Sequence, residues 1–159
     1  MNARTITGAG ALAVVVVLGG AVSPADAAVS SDMRTKAYNN AKAQLGKPYK
    51  WGATGPSAYD CSGLVWDSYR DAGKSWSRKS AHEMRRTQTV DITSAQKTKG
   101  DLIFFRKKGS SVYTHVGIYS GSGKMINAVS GSTYKGVVNR PINDGYWNTK
   151  YVGDFRRVK

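Results

Sequence analysis

The chain has 159 residues, 40% of them hydrophobic and 10% aromatic, which is enough apolar material for one domain with a hydrophobic core and excludes a disordered tail. Twenty-four Lys and Arg residues against ten Asp and Glu residues give a net charge of +14, which favours an anionic partner such as nucleic acid, acidic lipid or cell-wall polymer. A single cysteine excludes an intramolecular disulfide, and two histidines exclude a Cys/His zinc finger.

The first 27 residues have the pattern of a secretory signal peptide. Arg4 supplies a positive charge, residues 11–18 form an uninterrupted apolar stretch, and Ala25-Asp26-Ala27 matches the small-x-small pattern of a cleavage site. Even the span 8–22 has only 15 residues, fewer than the roughly 20 that cross a bilayer. We therefore predict cleavage after Ala27, a secreted, cell-wall-associated protein without a transmembrane anchor, and one domain over residues 28–159.

The first part of this domain has the spacing of helices. Asp32 is the expected N-cap of a helix over Met33–Leu45, which Gly46 and Pro48 end. A second helix is predicted from Cys61 to Gly73, and the capping box that begins at Ser80 opens a third, shorter helix.

From Thr89 onward the apolar residues follow a period of two, which is typical of strands. Helices followed by a run of strands predict an α+β fold, with N-terminal helices packed on an antiparallel sheet of about five or six strands. The predicted strands, separated by Gly, Ser and Asn turns, are Asp101–Phe105, Val112–Tyr119, Lys124–Val129, Gly136–Pro141 and Tyr151–Arg157.

Cys61 lies at the predicted start of the second helix, where unpaired backbone N–H groups and the positive end of the helix dipole meet. Both favour a thiolate, so we expect the pKa of this thiol to be lowered, as in a nucleophile. The same N–H groups could stabilise an oxyanion. The alternative interpretation is a small buried hydrophobic residue, which is what most free cysteines are.

Two histidines are candidate bases for this thiol. His115 lies in a predicted strand, where alternation places it on one face with Gly117, and this glycine is expected to leave space for substrate beside the imidazole. His82 is surrounded by charged residues and is expected to be a solvated helix residue. We therefore predict His115 as the base.

Asn127 is the candidate that orients the imidazole, since a catalytic histidine is normally held by a third group. A turn with an odd number of residues, such as Ser120–Ser122, would pair Asn127 directly opposite His115. A two-residue turn at Gly121-Ser122 would place Asn127 on the other face of the sheet. In the first case the amide oxygen would accept the His115 N–H; the alternative is an ordinary polar residue of an edge strand.

Four blocks in order resemble the NlpC/P60 cysteine peptidases, which share a papain-like core. They are Gly46–Gly52, Asp60–Val65, Gly100–Phe105 and His115–Tyr119. The resemblance runs from about Ala37 to Arg157. It implies hydrolysis of peptidoglycan stem peptides, commonly between D-glutamate and diaminopimelate or lysine, through a thioester and without a metal or organic cofactor.

The resemblance also implies roles for individual residues. It makes Cys61 the nucleophile and His115 the general base, and it places the hydroxyl of Tyr49 near the thiol, where it assists the oxyanion. The chain departs from the family at Asn127, where most relatives have a second histidine. The positions that resemble the lining of the family's substrate groove are Asp60, Ser62, Ser77, Arg78 and Ser80, and Arg78 could neutralise a carboxylate of the stem peptide.

The charge suggests that the basic surface itself holds a monomeric enzyme on anionic wall polymers; the alternative is that it serves solubility alone. The candidate cations are Lys107-Lys108, Arg85-Arg86, Arg156-Arg157 and Lys159. Three other functions stay open: a catalytically idle wall-binding protein, an amidase or acyltransferase with the same Cys-His site, and a secreted toxin. No nucleic-acid-binding motif accompanies the charge, so we expect no nucleic-acid partner.

Overall fold

A computed structural model describes residues 27–159, so the predicted signal peptide lies outside the described residues except for Ala27. The helices are α1 (Ser31–Ala43), α2 (Cys61–Asp71), α3 (Ala81–Gln88) and α4 (Gly145–Lys150). The strands are β1 (Thr89–Asp91), β2 (Leu102–Lys107), β3 (Tyr113–Gly121), β4 (Lys124–Ser130), β5 (Lys135–Pro141) and β6 (Tyr151–Val158).

The six strands form one antiparallel sheet in the order β1-β6-β2-β3-β4-β5. This confirms the α+β prediction. The five predicted strands correspond to β2 to β6, and the short β1, where the period of two begins, adds a sixth at the edge.

The two faces of the sheet are covered differently, because residues alternate between faces along each strand. One face packs against α1, α2 and α3 around a core that includes Leu64, Tyr69, Phe104 and Val116, all fully buried. The other face carries a smaller cluster with Phe105, Met125 and Trp147 as members. His115 is paired with Phe105 across β2 and β3 and shares the face of this smaller cluster.

The N-cap of α1 differs from the prediction. Ser30 is the cap, since its hydroxyl accepts the Met33 N–H at 3.2 Å. Asp32 lies in the first turn and forms an i,i+4 ion pair of 2.9 Å with Lys36. Both serine and aspartate are good caps, and an acidic residue in the first turn is also favourable, so the sequence alone supports either position.

Helix α4 was not predicted, because six residues are too few to show a helical period. Asp144 caps it by accepting the Trp147 N–H at 3.1 Å. The cap fixes the first turn and buries Trp147 against the second face of the sheet.

Candidate active site

The start of α2 is held by the carboxylate of Asp60. Its Oδ1 accepts the Gly63 N–H at 2.6 Å and caps the helix, while its Oδ2 accepts the Gly52 N–H from the preceding turn at 2.9 Å. A side chain at position 63 would collide with the carbonyl oxygen of Ala53. The turn and the helix are therefore locked together, which fixes Cys61 as the first residue of the helix.

Arg78 neutralises this buried carboxylate. Its Nη2 lies 2.8 Å from both oxygens of Asp60, and the hydroxyl of Ser62 donates to the same carboxylate at 3.3 Å. Arg78 and Ser62 thus form part of the scaffold beneath the cysteine. Ser80 caps α3 through the Glu83 N–H, and the carbonyl of Ser77 accepts a bond from Gln88. Substrate contacts of these residues stay predictions.

The thiol of Cys61 is half-buried and lies against the backbone N–H groups of Ser62 and Val116, which favour a thiolate. Burial opposes them, and together with the negative charge of Asp60 it raises the pKa of Cys61 to about 11. The predicted lowering of this pKa is therefore wrong, because desolvation outweighs the helix terminus. Val116 directly follows His115 in β3, so this contact brings the sulfur to the strand that carries the imidazole.

His115 is enclosed by an aromatic wall. Its ring stacks on Trp147 with centroids 4.9 Å apart and planes inclined by 28°, and Trp147 in turn stacks on Phe105 at 4.2 Å. Burial, aided by the positive charge of Arg140, lowers the pKa of His115 to about 3. The imidazole is therefore neutral at physiological pH and able to accept a proton.

Asn127 contacts His115, although not in the predicted register. Ile118 pairs with Ile126, and Tyr119 pairs with Met125. Extended along the two strands, this register places Asn127 opposite Gly117, which makes Asn127 a diagonal neighbour of His115. Gly121 pairs with Lys124, so the turn between them has two residues, which alone would place Asn127 on the other face of the sheet. An irregularity between Tyr119 and Gly121 shifts the register by one residue and returns Asn127 to the face of His115. Direct pairing with His115 is thus wrong, and the shared face is observed.

The side chain of Asn127 fills the space that Gly117 leaves. A Cβ at position 117 would lie 2.8 Å from the sulfur of Met125 and 3.2 Å from the Cβ of Asn127, so these two side chains, and not substrate, occupy that space. The amide nitrogen of Asn127 lies 2.9 Å from His115 Nε2. Because an amide has a donor on one side and an acceptor on the other, it can bond Nε2 in either tautomer of the imidazole.

Tyr49 and His82 complete the predicted candidates. Burial, together with the charge that Cys61 carries as a thiolate and that of Asp60, raises the pKa of Tyr49, so its hydroxyl stays protonated beside the sulfur and can donate. His82 is half-buried, and its Nδ1 accepts the Tyr113 N–H at 3.3 Å. The expectation that His82 is simply solvated is wrong, since its imidazole contacts the first residue of β3.

A groove of about 500 Å³ opens beside His115 and Tyr49, and it extends between the end of β4, β5 and α4. We call it the β5–α4 groove. None of Asp60, Ser62, Ser77, Arg78 and Ser80 lines it. The lining residues that the sequence analysis missed include Tyr134, Arg140, Asp144, Tyr146, Trp147 and Tyr151.

Residues 27–159 contain no group of three or more His, Cys, Asp and Glu side chains placed to hold a metal ion. Within the same range, every helix is too short or too polar to cross a membrane.

The sequence profile of the NlpC/P60 family matches residues 46–156, which is more than half of the chain. The murein DD-endopeptidase MepH of Escherichia coli (strain K12) is 39% identical over 124 residues, which cover 77% of this chain and 45% of that protein. The bifunctional muramidase/DL-endopeptidase CwlT of Bacillus subtilis (strain 168) is 38% identical over 117 residues, which cover 72% of this chain and 33% of that protein.

The fold is similar to solved structures of the same family. The crystal structure of an NlpC/P60 family protein from Bacillus cereus ATCC 10987 superposes with a TM-score of 0.69 at 29% identity, covering 84% of this chain and 41% of that chain. The chain belongs to the NlpC/P60 family, which confirms the resemblance of the four sequence blocks. It spans less than half the length of each of these three proteins.

Proposed function

We propose that the protein is a secreted cysteine endopeptidase that hydrolyses peptidoglycan stem peptides at the bond between D-glutamate and diaminopimelate or lysine. The observation that carries the proposal is the convergence on β3 of a helix-start cysteine and a neutral, amide-bonded histidine. The names of relatives support an endopeptidase of the cell wall, since MepH is a murein DD-endopeptidase and CwlT a bifunctional muramidase/DL-endopeptidase; the two names specify different bonds.

In the proposed mechanism the Cys61 sulfur attacks the amide carbonyl while His115 takes the thiol proton. A raised thiol pKa and a lowered imidazole pKa both favour the neutral pair, so proton transfer accompanies the attack and does not precede it. The carbonyl oxygen becomes an oxyanion, which accepts bonds from the Cys61 backbone N–H and the Tyr49 hydroxyl.

The intermediate then collapses as His115 gives the proton to the leaving amine, which departs and leaves an acyl group on sulfur. His115 next takes a proton from water, whose oxygen attacks the thioester, and the thiol is re-formed as the acid product leaves. Because Asn127 occupies Nε2, the proton moves to and from Nδ1, and Nε2 keeps its own proton throughout. In the mechanism the Asn127 amide therefore turns its oxygen, which has no other partner within residues 27–159, toward Nε2 and accepts that N–H during both transfers.

The experiment that tests this function is digestion of purified muropeptides by the protein beginning at Ala28. Mass spectrometry of the products identifies the bond, and Cys61→Ala is expected to leave every muropeptide intact. Intact muropeptides with both proteins would instead support an idle wall-binding protein. Products that carry an added amine would support a transferase.

Secretion belongs to the same proposal, because the substrate lies outside the cytoplasm. The signal peptide predicted over residues 1–27 supports it. Sequencing the N-terminus of protein collected from the culture medium or the wall fraction is expected to give Ala28 first. Retention of the full chain inside the cell would contradict export.

We also propose that exposed cations hold the protein on anionic wall polymers. Three of the candidate arginines are committed to internal ion pairs: Arg85 with Asp154, Arg156 with Asp91 and Arg157 with Asp101. We therefore expect exposed residues such as Arg86, Lys107 and Lys108 to provide the charge that binds wall polymers. Binding to purified sacculi is expected to fall as salt is raised, and salt-insensitive retention would contradict this account.

A further inference from the structure

Arg140 is the cation among the residues that line the β5–α4 groove, and most of its N–H groups form no hydrogen bond within residues 27–159. It is only 7% exposed, and it ion-pairs through Nη2 with Asp144. Within residues 27–159, its buried Nε forms no hydrogen bond, and the same holds for the buried Nε1 of Trp147. Buried donors are normally bonded, so a buried arginine that lines the groove with one ion pair and an unpartnered Nε is under-bonded for its charge.

The surroundings of Arg140 strengthen its attraction for an anion. Its guanidinium lies 4.1 Å from the ring centre of Tyr134 and 5.4 Å from that of Trp147. Aromatic rings displace water, and a charge-assisted bond is stronger in a medium of low dielectric constant. The pair with Asp144 holds the guanidinium in place, while the remaining N–H groups suit the planar oxygens of a carboxylate.

The chemistry of the reaction decides which part of the substrate enters this groove. His115 must lie beside the leaving nitrogen, because it protonates that atom. The groove is lined by His115 and not by Cys61. The acyl part of the substrate is bonded to Cys61, so the groove receives the residue on the amine side of the cleaved bond.

We propose that Arg140 determines specificity by binding a side-chain carboxylate of the diamino acid on the amine side of the cleaved bond. This inference rests on the proposed function, and it selects between the two diamino acids left open there. Diaminopimelate ends in a carbon that carries both an amine and a carboxylate, whereas lysine ends in the amine alone. Arg140 therefore favours diaminopimelate with a free carboxylate over its carboxamide and over lysine.

The test compares kcat/KM for three muropeptides that differ only in this side chain: diaminopimelate, its carboxamide and lysine. The protein is expected to prefer the free carboxylate by about tenfold, the effect of one charge-assisted bond. Arg140→Gln is expected to abolish the preference, by slowing the carboxylate substrate about tenfold more than the other two. Arg140→Lys, which keeps the charge but not the fork of donors, is expected to keep part of it.

The control is Arg86→Gln, which removes the same charge from an exposed position outside the groove and is expected to leave the preference unchanged. The ratio of two substrates is insensitive to a general loss of activity or stability. A wild-type protein that cleaves all three substrates equally overturns this inference and leaves the proposed hydrolase intact. So does an unchanged preference in Arg140→Gln or, should that variant not fold, in Arg140→Lys; a wild-type protein that cleaves none overturns both.

Discussion

The two sides of the candidate active site are built in different ways. On the cysteine side, Asp60, Cys61 and Gly63 lie within four residues, and one carboxylate caps the helix that presents the thiol. On the histidine side, His115 and Trp147 come from segments more than 30 residues apart and meet only through the sheet. The proposed nucleophile is therefore positioned by local structure, and the proposed base by tertiary packing.

Burial acts on both sides and moves the two pKa values in opposite directions. It raises the pKa of the thiol and lowers that of the imidazole, because each group is disfavoured in its charged form. The difference teaches that a helix start alone does not produce a thiolate in this protein. In the proposed mechanism the thiolate forms only as a proton moves from Cys61 to His115.

The largest expected effect comes from removing the proposed base. His115→Ala should lower kcat by about a thousandfold, since the thiol then loses its proton acceptor. His82→Ala is the matched control, because its imidazole contacts β3 through Tyr113 outside the proposed machinery. Steady-state hydrolysis of a muropeptide measures both variants. Equal losses in the two would show that His115 has no special role.

Alkylation of Cys61 tests the pKa on the cysteine side. With a pKa of about 11, the thiol at pH 7 should react with iodoacetamide about a hundredfold more slowly than free cysteine, because only the thiolate reacts. The rate should rise steadily up to high pH. The denatured protein, alkylated at pH 7, provides the control for a reduced thiol. Fast reaction that is flat down to pH 6 would indicate a preformed ion pair instead.

A variant of Arg78 tests whether this residue of the cysteine side supports the fold or contacts substrate. Arg78→Gln leaves the buried Asp60 carboxylate without its cation, so it should lower the free energy of unfolding by about 2 kcal/mol. Arg86→Gln, at an exposed position, should change that free energy by less than about 0.5 kcal/mol. Urea denaturation measures both. A stable Arg78→Gln protein with a raised KM would instead support the substrate contact predicted from the family.

The effect of Trp147 on the histidine side can be tested through the pH dependence of kcat. Because the pKa of His115 lies below 6.5, its ordinary value, the imidazole stays neutral and active as the pH falls below 6.5, and it gains its proton only near pH 3. Trp147→Leu admits water, so it should raise this pKa and move the acidic limb of the kcat profile upward by about one pH unit.

The control for this prediction is Trp51→Leu, since Trp51 is 85% exposed and lines no part of the β5–α4 groove. Its acidic limb should coincide with that of the wild type. An unshifted limb in Trp147→Leu would show that the stacked indole does not control the protonation of His115.

The free energy of unfolding should also fall as the pH is lowered. In the unfolded chain His115 binds a proton near pH 6.5, whereas in the folded protein it does so only near pH 3. The unfolded state therefore binds more protons between these values, and the contribution of His115 to stability is fully present above pH 6.5 and declines as the pH falls toward 3.

The sequence predicted what neighbouring residues encode. The start of α2 at Cys61 follows from Asp60 and the small residues beside it, and the period of two places β2 to β6. It did not predict α4, whose six residues show no period, nor the register of Asn127. That register depends on an irregularity at Ser120, whose hydroxyl donates to Asn139 on β5 at 2.8 Å.

The pKa of Cys61 could not be predicted for the same physical reason. The helix start is visible in the sequence, but the desolvation of the thiol depends on how closely β3 packs over it. The β5–α4 groove likewise combines residues from β5, α4 and the segments beside them, and no single stretch of sequence contains its pattern.

The most direct measurement of the central claim is the mass of the protein quenched in acid during turnover of a muropeptide. A thioester adds the acyl part of the substrate to the protein, and digestion locates the adduct. The account predicts this added mass on the peptide that contains Cys61, and its absence in Cys61→Ala. Turnover by the wild-type protein with no adduct at any quench time, together with hydrolysis by Cys61→Ala, would contradict it.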